Sequence, residues 1–252
     1  MVSLIRLFYF WSACVCGGVL CATPGSTLTI IESARAHLGT EESLNGMVTL
    51  QITGRIHSFV LGIPEIEVYL AARSPFSQHL ALRVDDIQET IILNGKRSCM
   101  IRSNANLADS HQMRWLSPEE TGQMRLNTRN IFNFYLPDVE RGDTLFYRGI
   151  VPCRGVRSHK LEYKDNLGQV TTRYFSVSDC RLISMLDSQG VEMVEYGSTI
   201  AGGIRFPGKV EYYKEGQLLH TLQIEEILVN RPLPEGIFRI PRIPKPKSLG
   251  LD

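Results

Sequence analysis

The residue types that carry most enzyme and metal chemistry are scattered through this sequence and form no recognisable motif. No two of the six histidines stand four residues apart, so a helical metal site is not supported. No C-x-x-C pair occurs, so neither a zinc ribbon nor a thioredoxin-like redox centre is indicated. Glycine-rich phosphate loops, a G-x-S-x-G elbow and an H-E-x-x-H motif are also missing. We therefore predict a protein that is not an enzyme, with no catalytic residue, metal or cofactor.

Charge is nearly balanced along the chain. Its 252 residues carry 27 Lys and Arg against 26 Asp and Glu, and 43% of the residues are hydrophobic. This is the composition of a folded globular protein that is long enough to bury a substantial core. Because no strong positive charge accumulates, the sequence argues against a broad binding surface for nucleic acid. We predict no nucleic acid partner.

The N-terminus, over residues 1–22, has the layout of a secretory signal peptide. Arg6 supplies a positive start, residues 7–20 are almost unbroken apolar, and small residues follow. A retained membrane anchor is the alternative, but the apolar run is short for a bilayer core. Lipidation of Cys21 is a further alternative that Leu20 disfavours, because a bacterial lipobox has a small residue at that position. We predict a periplasmic or secreted mature protein without a lipid anchor.

Removal of the signal peptide leaves three cysteines, Cys99, Cys153 and Cys180. In an oxidising compartment, three thiols allow one disulfide and one thiol left over. Cys153 and Cys180 lie in strand-like segments on either side of a predicted hairpin, so they are the pair that could become neighbours. Three buried, unpaired thiols are the equally open alternative.

The hydrophobic pattern predicts one short helix followed by many strands. Residues 27–38 carry apolar side chains at helical spacing, and from Val48 onward apolar and polar residues alternate. Asn94-Gly95 and Glu215-Gly216 are hairpin signals between alternating runs. In the second half of the chain, strands are predicted at 144–153, 158–163, 170–177, 181–187, 191–196, 200–206, 210–213 and 218–228.

Short strands without intervening helices exclude a doubly wound parallel sheet. We predict a mainly β fold with few helices, built on a strongly curved antiparallel sheet or open barrel. Residues 104–128 interrupt the alternation, and we expect a short helix or loop there that covers the sheet. The sequence thus predicts a single domain over residues 23–241, followed by a Pro/Lys-rich tail over residues 242–252.

The alternating strands present more apolar surface than the predicted helices can cover. Side chains from early and late strands are expected on one face, with the 27–38 helix lying across them. They either pack into a dry core or line an apolar cavity for a lipid, and the pattern favours neither outcome. The candidate lipid-binding residues are Leu50, Ile52, Ile66, Val68, Leu70, Leu82, Val84, Ile204, Phe206, Leu222 and Ile224.

The C-terminal part of the chain resembles a known family. Gly202-Gly203-Ile204-Arg205-Phe206-Pro207 leads into a glycine hairpin, a strand over residues 221–230 and a closing Phe238-Arg239-Ile240-Pro241. This order is similar to the last strands of the outer-membrane lipoprotein-sorting (LolA/LolB-like) superfamily. The resemblance is specific over residues 200–241 and architectural over residues 26–195.

The resemblance implies an unclosed antiparallel barrel with a helical lid over an apolar concave face. It implies a periplasmic protein that holds the acyl chains of a lipid or acylated lipoprotein, with an inner-membrane transporter and an outer-membrane acceptor as partners. In the carriers of this family, an arginine after an early strand contacts the lid and governs its opening. Arg73, which precedes Ser74-Pro75, is the nearest match, one residue out of register.

Two other functions remain open on the same sequence. One is an envelope scaffold or stress-sensing protein on this fold, which would bind protein partners at its sheet edge without carrying a ligand. The other is a hydrolase of unrecognised type, which is disfavoured because no pair of nucleophile and base can be nominated. A continuous apolar cavity would distinguish the carrier from the scaffold, and clustered polar groups inside it would favour the hydrolase.

Overall fold

The computed structural model describes residues 24–59, 65–107 and 111–241. The predicted signal peptide and the predicted tail over residues 242–252 lie outside the described residues. The helices of the described part are α1 (Pro24–Leu38), α2 (Glu41–Asn45) and α3 (Pro118–Asn133). The strands are β1 (Thr49–Ser58), β2 (Ile66–Arg73), β3 (Ser77–Val84), β4 (Ile87–Asn94), β5 (Arg97–Asn104), β6 (Gln112–Trp115), β7 (Thr144–Cys153), β8 (Val156–Lys164), β9 (Val170–Ser176), β10 (Leu182–Leu186), β11 (Val191–Tyr196), β12 (Thr199–Ala201), β13 (Ile204–Phe206), β14 (Lys209–Lys214) and β15 (Gln217–Val229).

Thirteen of the strands form one antiparallel sheet that does not close on itself. Their order is β6-β5-β4-β3-β2-β1-β15-β14-β11-β10-β9-β8-β7. The early strands β1–β6 form one meander, the late strands form another, and the β1–β15 pair joins the two at the centre of the sheet. The prediction of a mainly β fold with an unclosed, curved antiparallel sheet is confirmed.

Both predicted hairpins are present. Lys214 pairs with Gln217, so Glu215-Gly216 is a two-residue loop, and both residues have positive φ angles as a type I′ turn requires. In the other hairpin Asn94 pairs with Arg97, so the loop is Gly95-Lys96 and begins one residue later than predicted. Gly95 takes the positive φ there, which is why the glycine and not the asparagine opens the turn.

Residues 200–206 were predicted as one strand, and this is wrong. They form a two-stranded hairpin that lies outside the large sheet. β12 and β13 pair with each other around the loop Gly202-Gly203, where both glycines have positive φ angles. A Cβ at Gly202 would lie 2.7 Å from Val229, and one at Gly203 would lie 2.8 Å from the Ser43 hydroxyl. The two glycines therefore let this hairpin tip pack between α2 and β15.

The predicted cover over residues 104–128 is a full helix, α3. It begins with a capping box in which Ser117 accepts from the Glu120 amide and the Glu120 carboxylate accepts from the Ser117 amide. Thr128 Oγ1 donates to Gln78 Oε1 over 2.7 Å, which fixes α3 on β3. A Cβ at Gly122 would lie 3.9 Å from Leu167, which lies in the β8–β9 turn. The sheet thus curls until its late half approaches the helix that covers its early half.

The 27–38 helix, expected across a face shared by early and late strands, covers only the late half of the sheet. Ile31 and Ala34 of α1 pack on Leu161 and Phe175, in the late half of the sheet. The early strands are covered by α3, whose Met124 joins their buried cluster. A pattern of helical spacing shows that a helix is amphipathic, but it does not say which apolar surface the helix meets.

The three cysteines of the described residues are free thiols. Cys99 and Cys153 are buried and Cys180 is half-buried in the β9–β10 turn. Burial raises the pKa of the Cys153 thiol, which lies 3.5 Å from the Ser184 hydroxyl. Among residues 24–59, 65–107 and 111–241, no helix combines the length and the apolar character needed to cross a membrane.

Candidate functional site

The predicted lipid-binding residues lie on the side of the sheet that the helices cover, which we call the inner face. Residues directly opposite each other in an antiparallel pair share a face. Ile52 pairs with Leu70, and Leu222 pairs with Ile56 on the neighbouring strand, so early and late strands contribute to the same surface. Ile204 and Phe206 approach this surface from β13 rather than from the sheet itself. The register therefore brings the predicted residues together.

Their packing differs along the inner face. Ile66 and Leu82 are 0% exposed in a dry cluster that includes Met124 of α3. Further members of the buried group are Leu50, Val68, Val84 and Ile204. The half-buried group consists of Ile52, Leu70, Phe206, Leu222 and Ile224. The early part of the face is thus a packed core, and accessible apolar surface is found toward the central strands and β13.

Arg73, the predicted lid residue, lies at the end of β2. Its guanidinium sits over the ring of Phe238, 5.0 Å from the centroid. The alternation along β2 places Arg73 on the face opposite to Leu70, which is the face that the helices do not cover. There it holds the C-terminal segment against the sheet, as His79 does through the Ile237 carbonyl.

The arginine that does join the helices is Arg35 of α1, which is 2% exposed. Its Nε and Nη2 donate to both carboxylate oxygens of Glu41 over 2.8 and 2.6 Å. Its Nη1 donates to the carbonyls of Asn133 and Phe134 over 2.9 and 3.0 Å, at the C-terminal end of α3. One side chain therefore fixes α1, the start of α2 and the end of α3 relative to one another.

A polar cluster that the sequence analysis missed lies on the inner face of the late strands. The register pairs Arg173 with Met185, Met185 with Met193, and Met193 with Tyr212, in one row across the sheet. His220 follows in the same row and stacks on Tyr212, with ring centroids 4.3 Å apart. The same cluster includes Tyr135, Tyr163 and Glu195. We use the name polar cluster for six residues, namely Tyr135, Tyr163, Arg173, Glu195, Tyr212 and His220.

The polar cluster combines buried and partly accessible side chains. Glu195 and Tyr212 each keep a partly accessible side chain. Burial nevertheless raises the pKa of Glu195 to about 7 and that of Tyr212 to about 12. Burial also lowers the pKa of His220 to about 4. In each case the cause is removal of the charged form from water.

The hydrogen bonding of the cluster is incomplete. The Arg173 Nε, the Tyr163 hydroxyl and the His220 Nδ1 are buried without a hydrogen-bond partner in the described part of the chain. No hydroxyl of the cluster lies in hydrogen-bond contact with a base in the described residues, so they offer no activated nucleophile. In the same residues, no group of three His, Cys, Asp or Glu side chains could hold a metal ion. The cluster therefore holds buried polar atoms with which a bound polar group could pair.

Replacing Glu195 with glutamine should change how stability depends on pH. A carboxyl whose pKa is raised in the folded state, here from 4.5 to about 7, destabilises the fold as pH rises through that window. We expect the Glu195→Gln variant to match the wild type below pH 4.5 and to exceed it at pH 8 by on the order of 2 kcal/mol, allowing for partial exposure. Thermal unfolding of both proteins across this range measures the difference, and a constant difference would contradict the assignment.

The sequence did contain a signal for this cluster. Val191, Met193 and Glu195 alternate with residues of the opposite face, so a carboxylate stands in an otherwise apolar register. Arg173 likewise shares its face with Phe175. A charged residue on the apolar side of a strand marks a candidate site, whereas the search by motif spacing passes over it.

The opposite, outer face carries a groove of about 590 Å³ between β8, β9 and β11. Its lining includes Tyr174, Glu192 and Tyr213. The Arg154 guanidinium lies over the Tyr213 ring at 4.3 Å and forms a bidentate ion pair with Glu192, so neither of these charges is free to bind a ligand. The inner face is therefore the stronger candidate, since Arg173, Tyr163 and His220 hold unpartnered polar atoms there and part of its apolar surface stays accessible.

The known proteins that this chain resembles are solved structures with a similar fold. No family model and no curated protein matches the chain. Solved structures do match, among them a DUF1329 family protein from Desulfovibrio piger, with 10% identity and a TM-score of 0.54 over 84% of this chain and 96% of that one. A domain assigned to outer membrane lipoprotein sorting from Vibrio parahaemolyticus gives the same identity and TM-score over 84% and 95%. A LolA superfamily protein from Nitrosomonas europaea gives 11% and 0.52 over 84% and 96%.

The chain shares the fold of these three solved structures, one of which is a LolA superfamily protein. The resemblance read from residues 200–241 is thereby confirmed at the level of the fold. At identities of 10–11% the similarity reaches no further than the backbone. What this chain binds has to be argued from its own inner face.

Proposed function

We propose that this protein binds the acyl chains of a lipid or an acylated lipoprotein on its inner face, in the periplasm or another extracytoplasmic compartment. The observation that carries the proposal is accessible apolar surface on a covered face. Ile52, Leu70 and Leu222 remain half-buried although the helices and the β12–β13 hairpin cover their side of the sheet. The LolA-like fold supports the ligand class, since one similar structure is assigned to lipoprotein sorting.

The energetics of acyl binding favour a cover that opens. Burying an acyl chain contributes about 0.8 kcal/mol per methylene, so a chain of about 16 carbons gains on the order of 10 kcal/mol. A membrane offers nearly the same gain, so a carrier releases its ligand by opening rather than by weak binding. Arg35, which fixes three helices, is placed to control such opening, and lid control by Arg73 stays a prediction. Transfer from an inner-membrane transporter to an outer-membrane acceptor is part of the proposal.

The proposal is tested by a matched pair of charge substitutions on neighbouring residues of β15. Leu222 is on the inner face, and Gln223 is exposed on the opposite face, where it pairs with Arg55. Leu222→Glu should weaken binding of a fluorescent fatty acid at least about tenfold, because a carboxylate then occupies the apolar surface. Gln223→Glu should leave it unchanged. The dissociation constants come from fluorescence titration, with circular dichroism to show that both variants are folded.

Two results would contradict the proposal. Equal binding by folded Leu222→Glu and Gln223→Glu would place the probe away from the inner face. Failure of the wild type to bind either a fatty acid or an uncharged acyl probe would leave the inner face without a lipid function.

A second candidate, a scaffold that binds proteins, is favoured by one feature of the sheet. β7 has ten residues and forms an edge, and within the described residues no strand pairs with its outer side. Such an edge can accept an added strand from a partner, although Pro152 and the irregularity between Tyr147 and Ile150 shorten the usable stretch. A protein that takes up no acyl probe would make this candidate the leading one.

A further inference from the structure

We propose that Arg173 and Glu195 form a subsite for the anionic head group of an acyl ligand, a carboxylate or a phosphate, inside the inner face. This inference rests on the proposed function, because the acyl chain must lie on the same face. It adds a ligand class to that function, namely amphiphiles whose head group carries a negative charge. It assigns a role to residues that no motif in the sequence identified.

Arg173 forms no ion pair with a carboxylate of the described residues. Its guanidinium lies over the Tyr163 ring at 4.1 Å and faces the Tyr135 ring at 5.5 Å from the centroid. Its Nε is buried without a hydrogen-bond partner, and in the described part of the chain no carboxylate is within salt-bridge distance of it. Two aromatic rings stabilise the charge and orient the planar group, and its Nε–H is left without an acceptor. A planar guanidinium in this state is suited to bind a carboxylate or a phosphate.

Glu195 is a nearby carboxyl that can donate a second hydrogen bond to the head group. It lies on the inner face of β11, and it forms no hydrogen bond or ion pair with any described residue. The groups that face it are Arg173, Tyr135 and Tyr212, and the only charged one among them is the arginine. Its desolvated carboxyl is readily protonated, as the raised pKa shows, and then donates a hydrogen bond. In that form Glu195 and Arg173 both act as donors toward the same negatively charged oxygen atoms.

The register places this subsite and the accessible apolar surface on the same face of the sheet. Met185 and Met193 follow Arg173 in the row across the sheet, and the thioether side chains of methionine adapt to irregular apolar ligands. Val210, which pairs with Glu195, also pairs with Leu222 of the half-buried apolar group. From β9 to β15 the row crosses four strand spacings, about 19 Å, which an acyl chain can span. The head group would lie at Arg173 and the chain would run toward Leu222.

The test compares probes that share an acyl chain and differ in the head group. Wild-type protein is titrated with a fluorescent fatty acid, its methyl ester, and a single-chain lipid with a phosphate head. The fatty acid or the phosphate lipid should bind about 10- to 100-fold more tightly than the ester, as a charge-assisted contact in a desolvated site gives. Whichever of the two binds more tightly identifies the head group. Inorganic phosphate alone should compete only weakly, because the chain supplies most of the affinity.

Substitutions then assign the preference to Arg173. Arg173→Met should remove the 10- to 100-fold preference and leave ester binding unchanged. Arg173→Lys should restore part of it, and Glu195→Gln, which keeps a donor, should retain it. Arg83→Met, on the exposed outer face, is the matched control that should change nothing. Thermal unfolding shows which variants are folded.

Each alternative result has a distinct meaning. Equal binding of acid, phosphate lipid and ester by the wild type would overturn the subsite while leaving acyl binding intact. The same holds for an Arg173→Met variant that keeps the preference. Loss of acid and ester binding together in folded Arg173→Met would show that the tyrosine–arginine stack is structural, which also overturns the subsite. Failure of all three probes to bind the wild type would overturn the proposed function itself.

Discussion

Replacing Arg35 with methionine is expected to lower the free energy of unfolding by about 3–5 kcal/mol. Methionine fills a similar volume but donates no hydrogen bond, so the buried carbonyl of Phe134 and its neighbour Asn133 lose their donor. The bidentate contact with Glu41 is lost as well. Because these bonds join α1, α2 and α3, their loss also loosens the cover of the inner face. Urea unfolding followed by circular dichroism measures the effect.

Glu41→Gln is the matched control for this prediction. The Glu41 side chain is 59% exposed, so weakening its pairing with Arg35 should cost only about 0–1 kcal/mol. Folded Arg35→Met should also take up a fluorescent fatty acid faster than the wild type, as expected of a looser cover. A loss below 1 kcal/mol together with an unchanged uptake rate would show that Arg35 does not clamp the helices.

Leu82→Ala is expected to destabilise the protein by about 2–5 kcal/mol and to leave the probe affinity of the folded protein unchanged. Leu82 is 0% exposed and pairs with Val68 in the cluster that Met124 completes. Removing its branched end leaves a cavity in a core that is already closed by α3. The paired measurements are urea unfolding and a fatty acid titration under folding conditions.

Leu222→Ala is the comparison at the accessible part of the same face. Leu222 is half-buried, so truncation should cost less stability, about 1–2 kcal/mol, and should weaken probe binding. If Leu82→Ala weakened binding more than Leu222→Ala, the division of the inner face into packed core and binding surface would be wrong.

The sheet was predictable because its signals are local. The period of two along β1–β3 states which side chains share a face, and Glu215-Gly216 allows only a tight turn with positive φ angles. The same alternation placed Ile52, Leu70 and Leu222 on one surface, as the register confirms. Fold class and candidate lining therefore followed from short stretches of sequence.

The cover and the polar cluster were not predictable in the same way. Which half of the sheet α1 covers depends on contacts between residues far apart in sequence, such as Ile31 with Leu161. The partners of Arg35 at Asn133 and Phe134 are about 100 residues away, so no local pattern indicates them. Arg173 and Glu195 meet only after three strands have paired in register, so neither spacing nor composition brings them together.

Native mass spectrometry of the full-length protein, purified from its own cellular compartment without detergent, tests acyl binding most directly. We expect a population that is heavier than the bare chain by the mass of one lipid or acylated species, which organic extraction removes. Leu222→Glu prepared in the same way should carry much less of it, and Gln223→Glu should carry as much as the wild type. A wild-type protein that shows only the mass of the bare chain, and that takes up no added acyl probe, would contradict binding of acyl chains on the inner face.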